Sequence, residues 1–379
     1  MLNTLRKAIR HDLESPLSER KFGSGWISGV GALVLALAGL GVVLCLHYPQ
    51  WLTTPELRAV LSQAWIKPVV QAGLLAAFVL ACLNIVLRRD RVLGFTATIL
   101  VLCASTLGVT LPDAGAAHGH ALLGLDWFVL NLLMTGMLFV PLERSFPRLT
   151  EQALFRDDWR EDLLYFFISS LLVQGLTFLT LLPSQAVLAQ TGSWEILRAW
   201  VGGQPILLQF VEIMFVTDLV QYWLHRAFHR VPWLWRFHAV HHSARTMDWL
   251  AGSRMHLAEI VCLRGLTIIP MQVLGFEQTA IYAYLVTVYL YATYVHANLR
   301  FDIDFIKPLL VTPRFHHWHH GIEPEAVDVN FAVHFPVLDR LFGTYYMPGN
   351  QWPSGYGVGG HPVPGGFLRQ LAYPFRHNT

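Results

Sequence analysis

Eleven of the chain's 18 histidines lie between His225 and His320, and they are grouped. His225-x3-His229 comes first, then His238-x2-His241-His242, a single His256, a single His296, and finally His316-His317-x-His319-His320. On a helix, positions i, i+3 and i+4 share one face, so each group predicts two or three imidazoles pointing the same way. Neutral imidazole is a good ligand for iron, zinc or copper. A structural zinc site needs about four ligands. Nine or ten such histidines shared between two ions would leave each with about four or five ligands and an open position for a reactant. His11, His47, His118, His120, His334, His361 and His377 are isolated and are read as ordinary surface or core histidines.

Something must hold these groups at one place, and the apolar runs between them do so. The chain of 379 residues is 54% hydrophobic and only 14% charged, with mean hydropathy +0.43. An ordinary soluble domain is about 25% charged. A bilayer crossing takes roughly 20 apolar residues. Runs near that length predict about eight spans, at 26–46, 69–87, 92–111, 122–140, 163–182, 205–224, 257–274 and 280–295. The last two form a hairpin that brings His256 and His296 together. The fold expected is all-α, a polytopic integral membrane helical bundle with a His-box metal cap. The N-terminal run follows a long polar lead without a small-residue cleavage site, so it reads as a span rather than a removable signal.

Basic residues orient the bundle. Lys7, Arg10, Arg20 and Lys21 precede the first span. Arg88, Arg89 and Arg91 separate the second and third, and Arg144, Arg148, Arg156 and Arg160 the fourth and fifth. Both termini and every His box are accordingly expected on the cytoplasmic side, at the inner membrane if the source is bacterial. The net charge of +2 suggests no nucleic-acid partner. Four cysteines, none in a CxxC pair, imply buried thiols rather than disulfides. We divide the chain into a four-span region at 1–157, a catalytic region at 158–346, and a Gly/Pro-rich tail at 347–379 that cannot form a long helix.

The order HxxxH, HxxHH, HxxHH in a multi-span chain resembles the fatty acid hydroxylase / sterol desaturase superfamily, the membrane-bound histidine-box di-iron oxygenases. The flanks agree: Asp218-x3-Tyr222-Trp223-x-His225, Arg236-Phe237-His238, His296-Ala297-Asn298, Pro313-Arg314-Phe315-His316, Asp328-x-Asn330-Phe331 and Asp339-Arg340-Leu341-Phe342-Gly343-Thr344. The match covers about 210–346. The resemblance implies two irons (zinc as purified is compatible) held by nine core histidines, at 225, 229, 238, 241, 242, 296, 316, 319 and 320, with His256 and His317 as second-rank ligand candidates. It implies also dioxygen as co-substrate, and a membrane lipid whose C–H bond is hydroxylated or, second in order, desaturated. No fused electron-transfer domain is visible, so the resemblance implies a separate donor: a cytochrome b5-like protein, a ferredoxin or a reductase. Imidazole ligands usually donate their second N–H to a carboxylate or carbonyl. Asp218, inside a span where ionisable groups are costly, and Asn298 are the candidates for that supporting role, with Asp328 and Asn330 behind them.

A membrane metal transporter or metal-binding protein is the alternative. Transport places polar ligands near the bilayer midplane, whereas these boxes lie at helix ends. A bis-histidine haem protein would need isolated histidines within facing spans and fits less well.

Overall fold

The computed structural model describes residues 26–87, 91–109, 124–189, 194–301, 305–359 and 363–376. Lys7, Arg10, Arg20, Lys21, Arg88, Arg89, His11, His118, His120, His361 and His377 lie outside them. The described residues are helical, with only isolated bridges at Pro147–Leu299 and Gly321–Tyr356 in place of strands. The chain forms two compact units.

The first unit holds α1 (Trp26–His47), α2 (Ile66–Leu87), α3 (Val92–Leu107) and the short α4 (Leu125–Asn131). Helices α1 to α3 pack around a seam of small residues, among them Ala32, Ala36, Ala77, Ala81, Ala97 and Ala104. Small side chains let helices approach closely where lipid offers no hydrophobic drive between them. At Gly94 an added Cβ would lie 2.8 Å from the Ala81 carbonyl oxygen. The freed space lets Gly94 N–H donate to the buried Asn84 Oδ1 at 3.0 Å.

The second unit carries all eleven clustered histidines. It takes in Phe139–Thr150, Asp157–Ser169 and Gly175–Thr379. Its helices are the end of α5 (Met137–Ser145), most of α6 (Trp159–Leu171) and α7 (Val173–Leu188), then α8 (Glu195–Gly202), α9 (Ile206–Arg230), α10 (Pro232–His242), α11 (Leu257–Val273), α12 (Gln278–His296), α13 (Pro313–His319), α14 (Val337–Phe342) and α15 (Phe367–Ala372). Helix α9 packs against α10, α11 and α12, and α12 against α13.

Among the described residues, three helices are long and apolar enough to cross a membrane by length and composition, Ser28–His47, Ile66–Val86 and Ile206–Arg230, or four if the bent pair Trp159–Leu171 and Gly175–Leu188 is one span. Four of the other expected spans are shorter or broken, while the 19-residue α12 is long enough but less apolar, being rich in tyrosine and threonine. Val92–Leu107 has 16 residues. The run at 122–140 divides into α4, a π-helical turn at Leu132–Gly136, and α5 with Pro141 inside it. The run at 163–182 is bent by 63° between Leu171 and Gly175. Helix α11 has 17 residues and carries Pro270 in its last turns, where proline removes a backbone donor and crowds the preceding turn.

Candidate metal centre

Local sequence sets the frame of the site. Helix α9 ends at Val231, which is extended (φ −96°, ψ 114°) because Pro232 follows it. Pro232 then occupies the first position of α10, where a missing N–H costs nothing. That one-residue corner sets the last turn of α9, with His225 and His229, beside the histidines of α10. Thr312 caps α13, its Oγ1 accepting from Phe315 N–H, with Pro313 at the first helical position. His296 is the last residue of α12.

The nine expected ligand histidines gather into two groups, one of His225, His229, His238, His242 and His319, the other of His241, His296, His316 and His320. Within each group the ligand atoms lie within 4.8 Å of one another. The groups adjoin, with the rings of His242 and His320 stacked at 4.2 Å. The partition crosses the sequence motifs. His241 joins His296 rather than its helix neighbours His238 and His242, and His319 separates from His316 and His320.

Hydrogen bonds at Nδ1 fix the tautomers. His225 donates to Phe331 O at 2.8 Å, His319 to Val329 O at 2.8 Å, His241 to Arg254 O at 3.0 Å and His296 to Ala292 O at 2.7 Å. His238 donates to Glu259 Oε1 at 2.5 Å. Carbonyl and carboxylate oxygens accept, so each of these Nδ1 atoms carries the proton and each Nε2 is a bare lone pair. Yet Nε2 of His225 faces Nε2 of His238 at 3.0 Å, and Nε2 of His241 faces that of His296 at 3.2 Å. His238 Nε2 also meets His242 Nε2 at 3.1 Å, although a ring nitrogen has a single in-plane site. Facing lone pairs repel unless a cation lies between them. Nitrogens held about 2.0–2.1 Å from one ion adopt such separations at near-right angles. His229 Nε2 and His320 Nδ1 are buried without a hydrogen-bond partner. The donor set fits a metal pair.

Burial and the surrounding imidazoles hold His241, His242, His316 and His320 well below the usual histidine pKa, and His319 at about 3. Neutral imidazole is the form a metal binds.

The second-rank histidines stand outside both groups. His256 caps α11, its Nδ1 accepting from Ala258 N–H and its Nε2 donating to Leu371 O at 3.1 Å. His317 turns away from its neighbours, with Nδ1 2.7 Å from Tyr356 OH and Nε2 3.3 Å from His296 O. Of the isolated histidines, His47 donates to Leu107 O at 2.9 Å, and buried His334 lies 3.4 Å from Tyr284 OH.

Neither Asp218 nor Asn298 reaches an imidazole, which corrects their expected role. Asp218 accepts from the backbone N–H groups of Val333, His334 and Phe335 at 2.7, 3.0 and 2.7 Å. Asn298 pairs through its side-chain amide with the backbone of Leu149, at 2.9 and 3.1 Å. Both satisfy loops, because the amides nearest them are backbone groups that a span or a buried loop must pair. Asp328, at φ +61°, does approach a ligand, its Oδ1 lying 3.4 Å from His229 Nδ1. Asn330, at φ +58°, binds Phe315 O and Tyr346 O. Glu259, fully buried on His238, had been assigned no role from the sequence, although it closes the Arg254-x-His256-x2-Glu259 element. A glutamate in the first turn of α11, three residues after the His256 cap, was the available signal.

The tail is anchored on this unit. Glu161 accepts from Gly366 N–H at 2.6 Å and Gln370 Nε2 at 2.9 Å, and Phe375 packs on Phe237.

Residues 210–344 match the fatty acid hydroxylase family. The chain is 29% identical over 178 residues to an ornithine lipid hydroxylase of Rhizobium tropici, covering 46% of this chain and 53% of that protein. It is 28% identical over 130 residues to human alkylglycerol monooxygenase, covering 34% of this chain and 28% of that protein. A very-long-chain aldehyde decarbonylase of Oryza sativa subsp. indica is 31% identical over 143 residues, covering 37% of this chain and 53% of that protein. The chain thus spans about half, or less, of the length of these curated relatives. No solved structure matches it.

Proposed function

Because residues 210–344 form a fatty acid hydroxylase domain, we propose that the protein is an integral membrane di-iron oxygenase that hydroxylates a C–H bond of a membrane lipid. The observation that carries this reading is the set of bare Nε2 atoms facing one another at 3.0–3.2 Å in two adjoining groups. Two of the relatives are named for oxidising lipids, an ornithine lipid and an alkylglycerol, which supports a lipid substrate here.

His225, His229, His238, His242 and His319 would hold one metal, and His241, His296, His316 and His320 the other. When bound, the metals supply dioxygen activation and insertion of one oxygen atom into the substrate C–H bond. The chain's own residues set the conditions. Glu259 and the carbonyls of Arg254, Ala292, Val329 and Phe331 keep the rings of His238, His241, His296, His319 and His225 in the tautomer with Nε2 bare. Phe331 packs on His225, His229 and His319, which keeps water from that side of the group. The lipid reaches the centre from the bilayer, where α9 runs.

On this reading the chain has about eight spans, some short or bent, with both termini and the His boxes cytoplasmic. The catalytic region is 158–346 joined by Phe139–Thr150. Electrons come from a separate carrier.

The test is comparative lipid mass spectrometry of cells expressing the wild-type chain, the His241→Ala variant, or neither. A lipid heavier by one oxygen atom, seen with the wild type alone, is the expected result. Identical lipid profiles under iron-replete expression would sink the proposal.

A further inference from the structure

The metal groups are buried, so electrons from a carrier must pass through protein, and at Trp235 the path is short. Trp235 is half-buried, and its indole lies 5.0 Å from the His229 ring, 5.4 Å from His242 and 6.2 Å from His238, centroid to centroid. It therefore touches three imidazoles of the five-histidine group and reaches the surface as well. Beside it, His229 Nδ1 meets Asp328 Oδ1 at 3.4 Å, and Asp328 Oδ2 meets Arg230 Nε at 3.2 Å. The Arg230 side chain is 58% exposed. A surface charge is thus two contacts from a ligand ring.

The same face is basic. Arg226 lies one helical turn before Arg230 and donates to Tyr222 OH at 3.2 Å and Phe342 O at 3.5 Å. Arg340, exposed and stacked at 4.6 Å over Tyr345, precedes Phe342 by two residues. Asp328 is already occupied by Arg230 and His229, and the exposed Glu325 lies three residues before it. Exposed apolar groups, Trp233 and Val231, adjoin the arginines. A positive rim around a partly apolar centre steers and seats a negatively charged protein.

We propose that an acidic one-electron carrier docks on this face, over Trp235 and against Arg226, Arg230 and Arg340, and that electrons enter at the five-histidine group. In each encounter the carrier is oxidised by one electron and the metal centre reduced by one, and two encounters supply one turnover. The proposal rests on the oxygenase reading above.

The experiment uses the full chain in nanodiscs, with an acidic ferredoxin and a soluble cytochrome b5 domain as the probes. Carrier binding is measured directly, and turnover is measured with the carrier and, separately, with dithionite and a mediator. Arg340→Glu is expected to raise the carrier Kd about tenfold at low salt, and Arg340→Lys to restore it. Added salt should weaken wild-type binding and narrow the difference. Metal content and dithionite-driven turnover should stay at wild-type levels in both variants. If Arg340→Glu binds both carriers as the wild type does while dithionite still drives turnover, the docking face is wrong and the oxygenase reading stands. If the iron-loaded wild type turns over lipid with neither carrier nor dithionite, the oxygenase reading fails and this proposal with it.

Discussion

Asp218 and Asp339 divide five consecutive backbone N–H groups between them: Asp339 accepts from Phe331 and Ala332, and Asp218 from Val333, His334 and Phe335. One carboxylate comes from α9 and the other from α14. Together they pin the loop whose Phe331 carbonyl fixes the His225 tautomer and which continues from Val329, whose carbonyl fixes His319. Burial pushes the Asp339 pKa up to about 6, while Thr344 and the two amides favour the charged form.

Replacing Asp218 by asparagine should therefore damage the metal site from a distance. The amide keeps one acceptor and turns an NH2 group toward backbone donors. Each buried donor left unpaired costs about 1–3 kcal/mol. Asp218→Asn is expected to lower the unfolding temperature in detergent and to release metal from the five-histidine group first. Unchanged thermal stability and metal content would show that the loop holds itself.

Glu259→Gln should separate orientation from charge. Glutamine still accepts from His238 Nδ1, so the ring keeps its direction, but the carboxylate no longer raises ligand basicity. Outer partners of this kind are worth about 10–100-fold in metal affinity. Chelator competition should show a loss in that range for Glu259→Gln and a larger one for Glu259→Ala. Equal retention by all three proteins would remove Glu259 from the site.

The histidines should sort sharply under alanine substitution. His241→Ala is expected to abolish turnover and to lose metal, whereas His317→Ala and His361→Ala keep both metals at matched membrane expression. His317 spends its nitrogens on Tyr356 and a carbonyl. Loss of metal from His317→Ala would mean that its link to His296 O is part of the centre.

Sidedness is open to labelling. Single cysteines at Ser243 and Asn350 should react from the same, cytoplasmic face of intact vesicles. Reaction from opposite faces would refute the arrangement of spans proposed here.

The spacing of His225 with His229, of His238 with His241 and of His316 with His320 made the gathering of these histidines readable, because helical periodicity is written directly into sequence. The partition was not readable. His241 and His242 are adjacent, yet their rings are crossed at 88° and serve different groups, a choice made by the helices packed around α10. The tautomer-setting partners Phe331, Val329, Arg254 and Ala292 act through carbonyls, which every residue carries and no side-chain pattern marks. Asp218 was conspicuous as an acid within an apolar helix, but which amides it serves depends on a loop more than a hundred residues away. Apolar composition did not mark the π-turn at Leu132–Gly136 or the bend after Leu171, which divide the expected spans at 122–140 and 163–182.

The central claim is a pair of metals held by nine imidazoles. The most direct measurement is metal analysis together with X-ray absorption on active protein purified after iron-supplemented expression. The account predicts close to two equivalents of metal per chain with a shell dominated by nitrogen. One equivalent or fewer in fully active protein, or a shell dominated by sulfur, would contradict it.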